Sequence, residues 1–338
     1  MSSQQVLKEY AARIGFPESG TMERIFEILY DGEQDVAVIG ALPASIPEIA
    51  KKTGLREVEI KGILDRLFLR GAVGHPMRRP DIYKLFPAMI ELRDSTALWP
   101  AAPQELFELW DRIIFEEVVP LVGFLKDAKP PAALRVVPIE EAVESRSTVL
   151  DIDSARKLVR DAELISLQNC ACRVHARRMG RGQDCPLPST EVCMQTNGFG
   201  ESVLRRGVGR QITVAEALKI LGDAEDAGLN HMTRNSTAKD TFLCNCCACC
   251  CTGFSFLKNL KYDEVFAPSR FRVRHDREAC TLCGICVDRC QFGAITMTDD
   301  AVITDASRCY GCGNCVITCS SGARVLEEVR PREFIRVK

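Results

Sequence analysis

The sequence predicts a mixed α+β protein of several domains, and three observations carry that prediction. The first half has helical periodicity with capping signatures and no cysteine before Cys170. A strand–helix–strand order then leads into ten cysteines between residues 170 and 251. The last seventy residues hold a cysteine run that occurs twice. A half without cysteine followed by a half rich in it marks a domain boundary in composition. At roughly 150 residues per domain, 338 residues make two or three domains. The balance of 46% hydrophobic and 27% charged residues excludes collagen-like, mucin-like and wholly disordered chains. A net charge of −2 argues against a protein built mainly to bind nucleic acid. No apolar run has the length of a membrane span, and the N-terminal residues lack a signal-peptide core, so a cytoplasmic protein is expected.

Met22, Ile25, Phe26, Ile28 and Leu29 predict a short amphipathic helix over 22–31. Ser45-Ile-Pro-Glu48 is a capping box, opening a helix that stops at Gly54. A second helix presents Val58, Ile60, Ile63, Leu64, Leu67 and Phe68 and ends at Gly71. Ala72-Val73, a polar tip from His75 to Asp81, and Ile82–Leu85 read as a hairpin. That order, over about residues 20–86, resembles a winged-helix module. DNA readout would need basic residues on the second helix, where Arg56 and Lys61 are offset by Glu57 and Glu59. Residues 1–95 hold 13 Lys+Arg against 14 Asp+Glu, so no basic field steers a phosphate backbone. Arg78 and Arg79 at the tip are the phosphate-contact candidates, against two solvated arginines as the plainer reading. A helix over 103–127 follows, with Leu106, Trp110, Ile113, Ile114, Val118 and Leu121 at helical spacing and Pro120 and Gly123 near its end. Lys129-Pro-Pro131 reads as a linker.

Leu134–Ile139 reads as a strand, Asp151–Ala162 as a capped helix, and Leu164–Leu167 as a second apolar segment running into Cys170-Ala-Cys172-Arg173. With Cys185 and Cys193 these make C-x-C-x12-C-x7-C, four thiolates for one [4Fe–4S] cluster or one Zn²⁺. Arg173, Arg177, Arg178 and Arg181 lie among them, placed to offset cluster charge or simply exposed. Thr213-Val-Ala-Glu216 opens another helix, stopped at Gly228. Cys244, Cys246, Cys247, Cys249, Cys250 and Cys251 then put six thiols in eight residues. Adjacent side chains do not usually reach one small ion together, so the block is expected to serve two centres, to hold a cluster of unusual geometry, or to form a thiolate cage.

Cys280-x2-Cys283-x2-Cys286-x3-Cys290 recurs as Cys309-x2-Cys312-x2-Cys315-x3-Cys319. This is the spacing of bacterial two-cluster ferredoxins, where the fourth cysteine of each run ligates the other cluster. Cys280, Cys283, Cys286 and Cys319 are therefore expected to hold one [4Fe–4S] cluster, and Cys290, Cys309, Cys312 and Cys315 the second. Ala294–Met297 and Ala301–Thr304 read as the intervening hairpin. The proline that commonly follows the fourth cysteine is replaced by Gln291 and Ser320, each restoring a backbone N–H expected to bond a sulfur and raise the potential.

With its C-x-C-R segment at Cys170 to Arg173, its C-N-C-C-x-C-C-C block at Cys244 to Cys251 and its terminal cysteine runs, the chain resembles a family of 4Fe–4S ferredoxin-domain proteins of anaerobes. The domains expected are a winged-helix-like 1–95, a helical linker 96–133, a cysteine-rich α/β 134–265 and a two-cluster ferredoxin fold 266–338. The function expected is electron transfer, as a subunit relaying low-potential electrons between a soluble carrier and a partner oxidoreductase, with one or two clusters beyond the ferredoxin pair. Two alternatives are a redox-sensing transcriptional regulator and an oxidoreductase with its active-site cluster at Cys244–Cys251. No flavin or nicotinamide fingerprint and no catalytic constellation is present in the sequence. His175, beside Cys172, is the one histidine placed near a cysteine set.

Overall fold

The computed structural model describes residues 2–76, 79–145, 148–149 and 151–336; Arg78 lies outside the described residues. The chain packs as two compact units, neither contiguous in sequence. Residues 1–127, 169–182 and 202–210 form the first, and residues 128–168, 183–201 and 211–338 the second.

The first unit is helical. Helix Gly20–Leu29 starts where Ser19 Oγ accepts from the Met22 N–H at 2.9 Å, and it buries Met22, Ile25, Phe26 and Leu29. Helices Ser3–Arg13 and Glu33–Gly40, which periodicity alone did not reveal, pack nearby. Helix Ile46–Thr53 follows Ser45, whose N–H donates to Glu48 Oε2 at 2.7 Å, and it ends at Gly54 in the left-handed region. Helix Glu57–Arg70 buries Ile60, Ile63, Leu64 and Leu67 and ends at Gly71, also left-handed. Beyond it the expected hairpin is reduced to single bridges, Gly74 with Lys84 and Ala44 with Tyr83. The single helix expected over 103–127 is divided. Gln104–Arg112 passes through a π-helical turn at Ile113–Glu117 into Val119–Ala128. Pro120 sits in the first turn of that last helix, where a missing N–H costs no hydrogen bond. Trp110 is fully buried, and its Nε1–H donates to Thr96 Oγ1 at 2.9 Å.

Helix Met89–Ala97 and helix Ala171–Arg178 complete this unit.

The second unit is organised by strands β1 (Leu134–Val136), β2 (Ile165–Asn169), β3 (Glu191–Thr196), β5 (Asn230–Arg234), β6 (Phe242–Cys246) and β7 (Phe266–Ala267), which lie side by side as a sheet in the order β2-β3-β6-β5-β1-β7; β4 (Gly209–Gln211) falls mostly in the first unit's segment 202–210. The β3–β6, β6–β5 and β5–β1 pairs are antiparallel and β1–β7 is parallel. Val137, Val159, Leu167, Met194, Leu221 and Leu243 fill the core beneath part of the sheet. The capped helix expected over 151–162 is shorter. Asp151–Asp153 forms a 3₁₀ turn, and Ser154 caps helix Ala155–Arg160 by accepting from the Lys157 N–H at 2.8 Å. Helix Val214–Asp226 begins at Thr213, whose Oγ1 accepts from the Glu216 N–H at 3.2 Å.

Beyond this sheet, β8 (Phe271–His275) pairs antiparallel with β11 (Arg324–Glu328), and β9 (Ile295–Met297) with β10 (Val302–Thr304). Between them lie two short helices, Ile285–Arg289 and Asn314–Ile317. Gly284 and Gly313, with φ of 76° and 94°, precede them at equivalent positions of the repeat. Among the described residues, no helix is long and apolar enough to cross a membrane.

Gly311 has φ of +65°, and a Cβ there would meet Phe271 O at 2.1 Å and Ser269 Oγ at 2.4 Å. Gly322 has φ of +69° with nothing within 4 Å of such a Cβ. Gly322→Ala is therefore expected to cost about 1–2 kcal/mol from backbone strain alone. Gly311→Ala must displace a backbone carbonyl as well and costs clearly more. Urea denaturation of the two variants side by side checks this, and equal losses would refute the close-approach argument.

Candidate metal centres

All eighteen cysteines lie in described positions, and none of them is in a disulfide. A disulfide framework is thereby set aside, and each thiol is available as a ligand.

In the C-terminal segment, Cys290, Cys309, Cys312 and Cys315 line one cavity with Val273, Phe292 and Ile295. The cysteines reach it because left-handed glycines turn the chain immediately ahead of short helices, which carry Cys286 and Cys315 at matching places. The Ala294 N–H donates to Cys290 Sγ at 3.2 Å, and Asn314 Nδ2–H donates to Cys312 Sγ at 3.8 Å. Burial pushes the Cys312 thiol up to about 12 and the Cys315 thiol well above its usual range. Such thiols stay protonated unless a cation is supplied.

Cys280, Cys286 and Cys319 are at most partly exposed, whereas Cys283 is exposed. Burial raises the Cys286 thiol, and the Arg324 guanidinium opposes that rise. Arg324 is 2% exposed; its Nη1–H donates to Thr304 Oγ1 at 3.1 Å, and its Nη2 has no partner. A buried, unpaired donor beside a thiol-only ligand set is the environment that an anionic, thiolate-ligated iron–sulfur group satisfies, so the residues present fit such a group.

Among the middle cysteines, the structure brings one from the earlier spacing pattern together with three from the later block. Cys170 caps helix Ala171–Arg178 and Cys172 lies in its first turn, both in the first unit, whereas Cys185 and Cys193 belong to the second. The Cys185 thiol is 3.5 Å from that of Cys247. With Cys249 and Cys250 these make a set whose donor atoms all lie within 4.8 Å of one another. Cys185 thus joins the later block, because its loop folds onto the end of β6, and residue spacing cannot show a loop's direction of return. The adjacent Cys249 and Cys250, 3.6 Å apart, share this one set. The turn in which the Cys250 and Cys251 N–H groups both donate to Cys247 O, at 3.4 and 3.0 Å, brings them together, contrary to the expectation for neighbours in sequence. Cys246 forms a separate contact group with Cys244 and Cys251, whose thiols hold its own thiol strongly protonated. Cys193 Sγ accepts from Gln168 Nε2 at 3.8 Å and from Gln195 Nε2 at 3.6 Å.

Arg93 is a buried cation beside a cysteine, which nothing in the sequence singles out. It is 2% exposed, and its Nη1–H donates to Cys172 Sγ at 3.4 Å. His175, the histidine singled out in the sequence, is buried. Its Nδ1 accepts from Arg93 Nε at 3.1 Å, and its Nε2 lies 3.2 Å from Asp111. Burial, helped by the Arg93 charge, depresses its pKa to about 3, so it stays neutral and orients Arg93. Arg181 pairs with Asp111 and Arg178 stacks on Phe107 at 5.0 Å, so both have local structural partners. No sequence signal marks Arg93, 79 residues from the cysteine it touches.

Gln291 also acts otherwise than expected. Its backbone N–H donates to Arg289 O at 3.1 Å, not to a sulfur, because the chain turns back immediately after Cys290. Its side chain makes the useful contact: Oε1 accepts from the Ala248 N–H at 2.7 Å, and Nε2 donates to Gly228 O. The ferredoxin segment is thus tied to the centre of the Cys244–Cys251 block.

Residues 270–324 match the family model of a 4Fe-4S dicluster domain, a stretch that includes all eight cysteines of the repeated run. No curated protein and no solved structure matches the chain significantly.

Gln291→Leu would leave the Ala248 N–H and the Gly228 carbonyl without their partner, a loss of about 1–3 kcal/mol per unsatisfied buried group. The expected outcome is faster hydrogen exchange confined to residues 246–252 and to the turn at Gly228. Unchanged exchange would show that the bridge holds nothing in place.

Proposed function

We propose that this chain is an iron–sulfur electron-transfer protein, working as a subunit between a soluble carrier and a partner oxidoreductase. The convergence of Cys290, Cys309, Cys312 and Cys315 on one cavity, inside a segment matching a 4Fe-4S dicluster domain, carries the reading. In this proposal Cys280, Cys283, Cys286 and Cys319 hold one [4Fe–4S] cluster, and those four hold the second. Such clusters, when bound, take up and release single electrons at potentials set by hydrogen bonds to sulfur, burial and charge.

The chain's own residues supply those levers. The Ala294 N–H and the Asn314 amide donate toward cluster-ligating sulfurs, and Arg324 places a buried positive charge beside Cys286. Phe271, Val273, Ile295, Val302 and Leu326 pack around the cysteines and exclude water. Near Cys283 the surface is apolar, with Leu282, Ile285 and Met297 between 37% and 46% exposed. Exposed apolar side chains beside an exposed ligand support a docking face for a redox partner, where short distance matters most. Cys170, Cys172, Cys193, Cys244, Cys246 and Cys251 are the thiols left for any further cluster.

The helices and bridges of residues 20–86 support a winged-helix-like module used toward protein. Arg56 pairs with Glu59 at 2.6 Å and Lys61 with Asp65 at 2.5 Å, so the second helix offers a phosphate backbone little free positive charge.

Anaerobically purified protein is expected to hold at least about 8 iron with matching sulfide, two cubanes at four iron each. Cys309→Ser is expected to remove one reducible cluster signal in electron paramagnetic resonance and leave the other. Fewer than about 4 iron in wild-type protein, or no reducible signal, would overturn the proposal.

A further inference from the structure

We infer that Cys185, Cys247, Cys249 and Cys250 form a mononuclear tetrathiolate site for Zn²⁺, separate from every iron–sulfur centre. The inference rests on sulfur spacing and is independent of the electron-transfer reading. Four thiolates on one ion at a Zn–S distance of about 2.3 Å stand about 3.8 Å apart at the corners of a tetrahedron. The Cys185–Cys247 and Cys249–Cys250 separations of 3.5 and 3.6 Å lie close to that value. All four sulfurs lie within 4.8 Å of one another. Four thiolates on a cubane bind four different irons and stand outside its corners, so they cannot contract this far. Among the described residues, this is the one group of three or more thiol, imidazole or carboxylate donors that closes to such distances. The two ferredoxin quartets do not, as expected for thiols that surround a larger group.

The ligand chemistry points the same way. Four cysteines without an imidazole or carboxylate make a closed, sulfur-only set, the pattern of structural zinc. Cys247 and Cys185 are 2% and 6% exposed and pack against Ala224 and Leu229. Binding releases the thiol protons to solvent and forms four metal–sulfur bonds. The ion would pin the loop at Cys185 to the turn after β6, 62 residues later, the turn that Gln291 holds through Ala248.

The test is metal analysis with zinc and iron K-edge X-ray absorption on the full-length, anaerobically purified protein. Expected is about one zinc per chain with four sulfur neighbours at about 2.3 Å. Cys185→Ser and Cys247→Ser should each lose that zinc while iron content and the ferredoxin spectrum stay. Cys193→Ser should keep the zinc, since its thiol is outside the set. Loss of about four iron on Cys247→Ser would overturn the inference in favour of a cluster. So would a single iron in place of zinc, or no zinc in wild-type protein. Zinc lost equally from Cys193→Ser would restore the sequence-based grouping and overturn this one. If a variant fails to fold, the wild-type absorption spectrum still decides: nitrogen or oxygen neighbours at zinc are incompatible with the site. Failure of the electron-transfer reading would appear in iron content alone and leave the zinc result untouched.

Discussion

Sulfur atoms brought close together without a counter-charge are the constraint on which this protein depends. A thiol surrounded by other thiols in a dry interior resists ionisation, yet as a ligand it is useful only when ionised. Cys246 is crowded by Cys244 and Cys251, and Cys250 by Cys247, and each thiol is held in its protonated form. A metal held by Cys185 and Cys247 would couple its binding to folding, since donors 62 residues apart meet only in the folded chain.

The fold meets that constraint with backbone geometry more than with side-chain packing. Left-handed glycines at 284 and 313 aim the helices that carry Cys286 and Cys315, and Gly311 lets the chain pass against the backbone of Phe271. At the end of β6 a pair of hydrogen bonds to Cys247 O closes a turn tight enough for neighbouring cysteines to face one set. In both places residue identity matters through the conformations it permits.

The ferredoxin segment and the Cys244–Cys251 block are joined by more than proximity. Gln291 bonds both Ala248 and Gly228, and Phe292 lies tilted against Phe254 and stacked on Tyr310, with ring centroids 5.0 and 4.5 Å away. Cys244, Cys246, Cys290 and Cys312 all pack against that aromatic core. A rigid, apolar connection of this kind holds metal centres at fixed separation, which electron transfer and structural support both require.

Much of this was legible in the sequence where function depends on spacing. The doubled C-x2-C-x2-C-x3-C run identifies its segment because short loops around one cluster allow few alternatives, and the family match covers the same residues. Capping signatures at Ser45 and Thr213 located helix starts because they act within four residues. Strands β3 to β8 and β11 escaped notice; in β3 and β5 nearly every residue is buried, so no alternation marks them. The approach of Cys185 to Cys247, Cys249 and Cys250 came from tertiary structure alone. Spacing records how far apart ligands are along the chain, while coordination depends on where loops return, and the loop bearing Cys185 returns to β6. The partners of Arg93 and Gln291 were likewise settled in space, because a buried guanidinium or amide finds its acceptor through the fold and not through its neighbours in sequence.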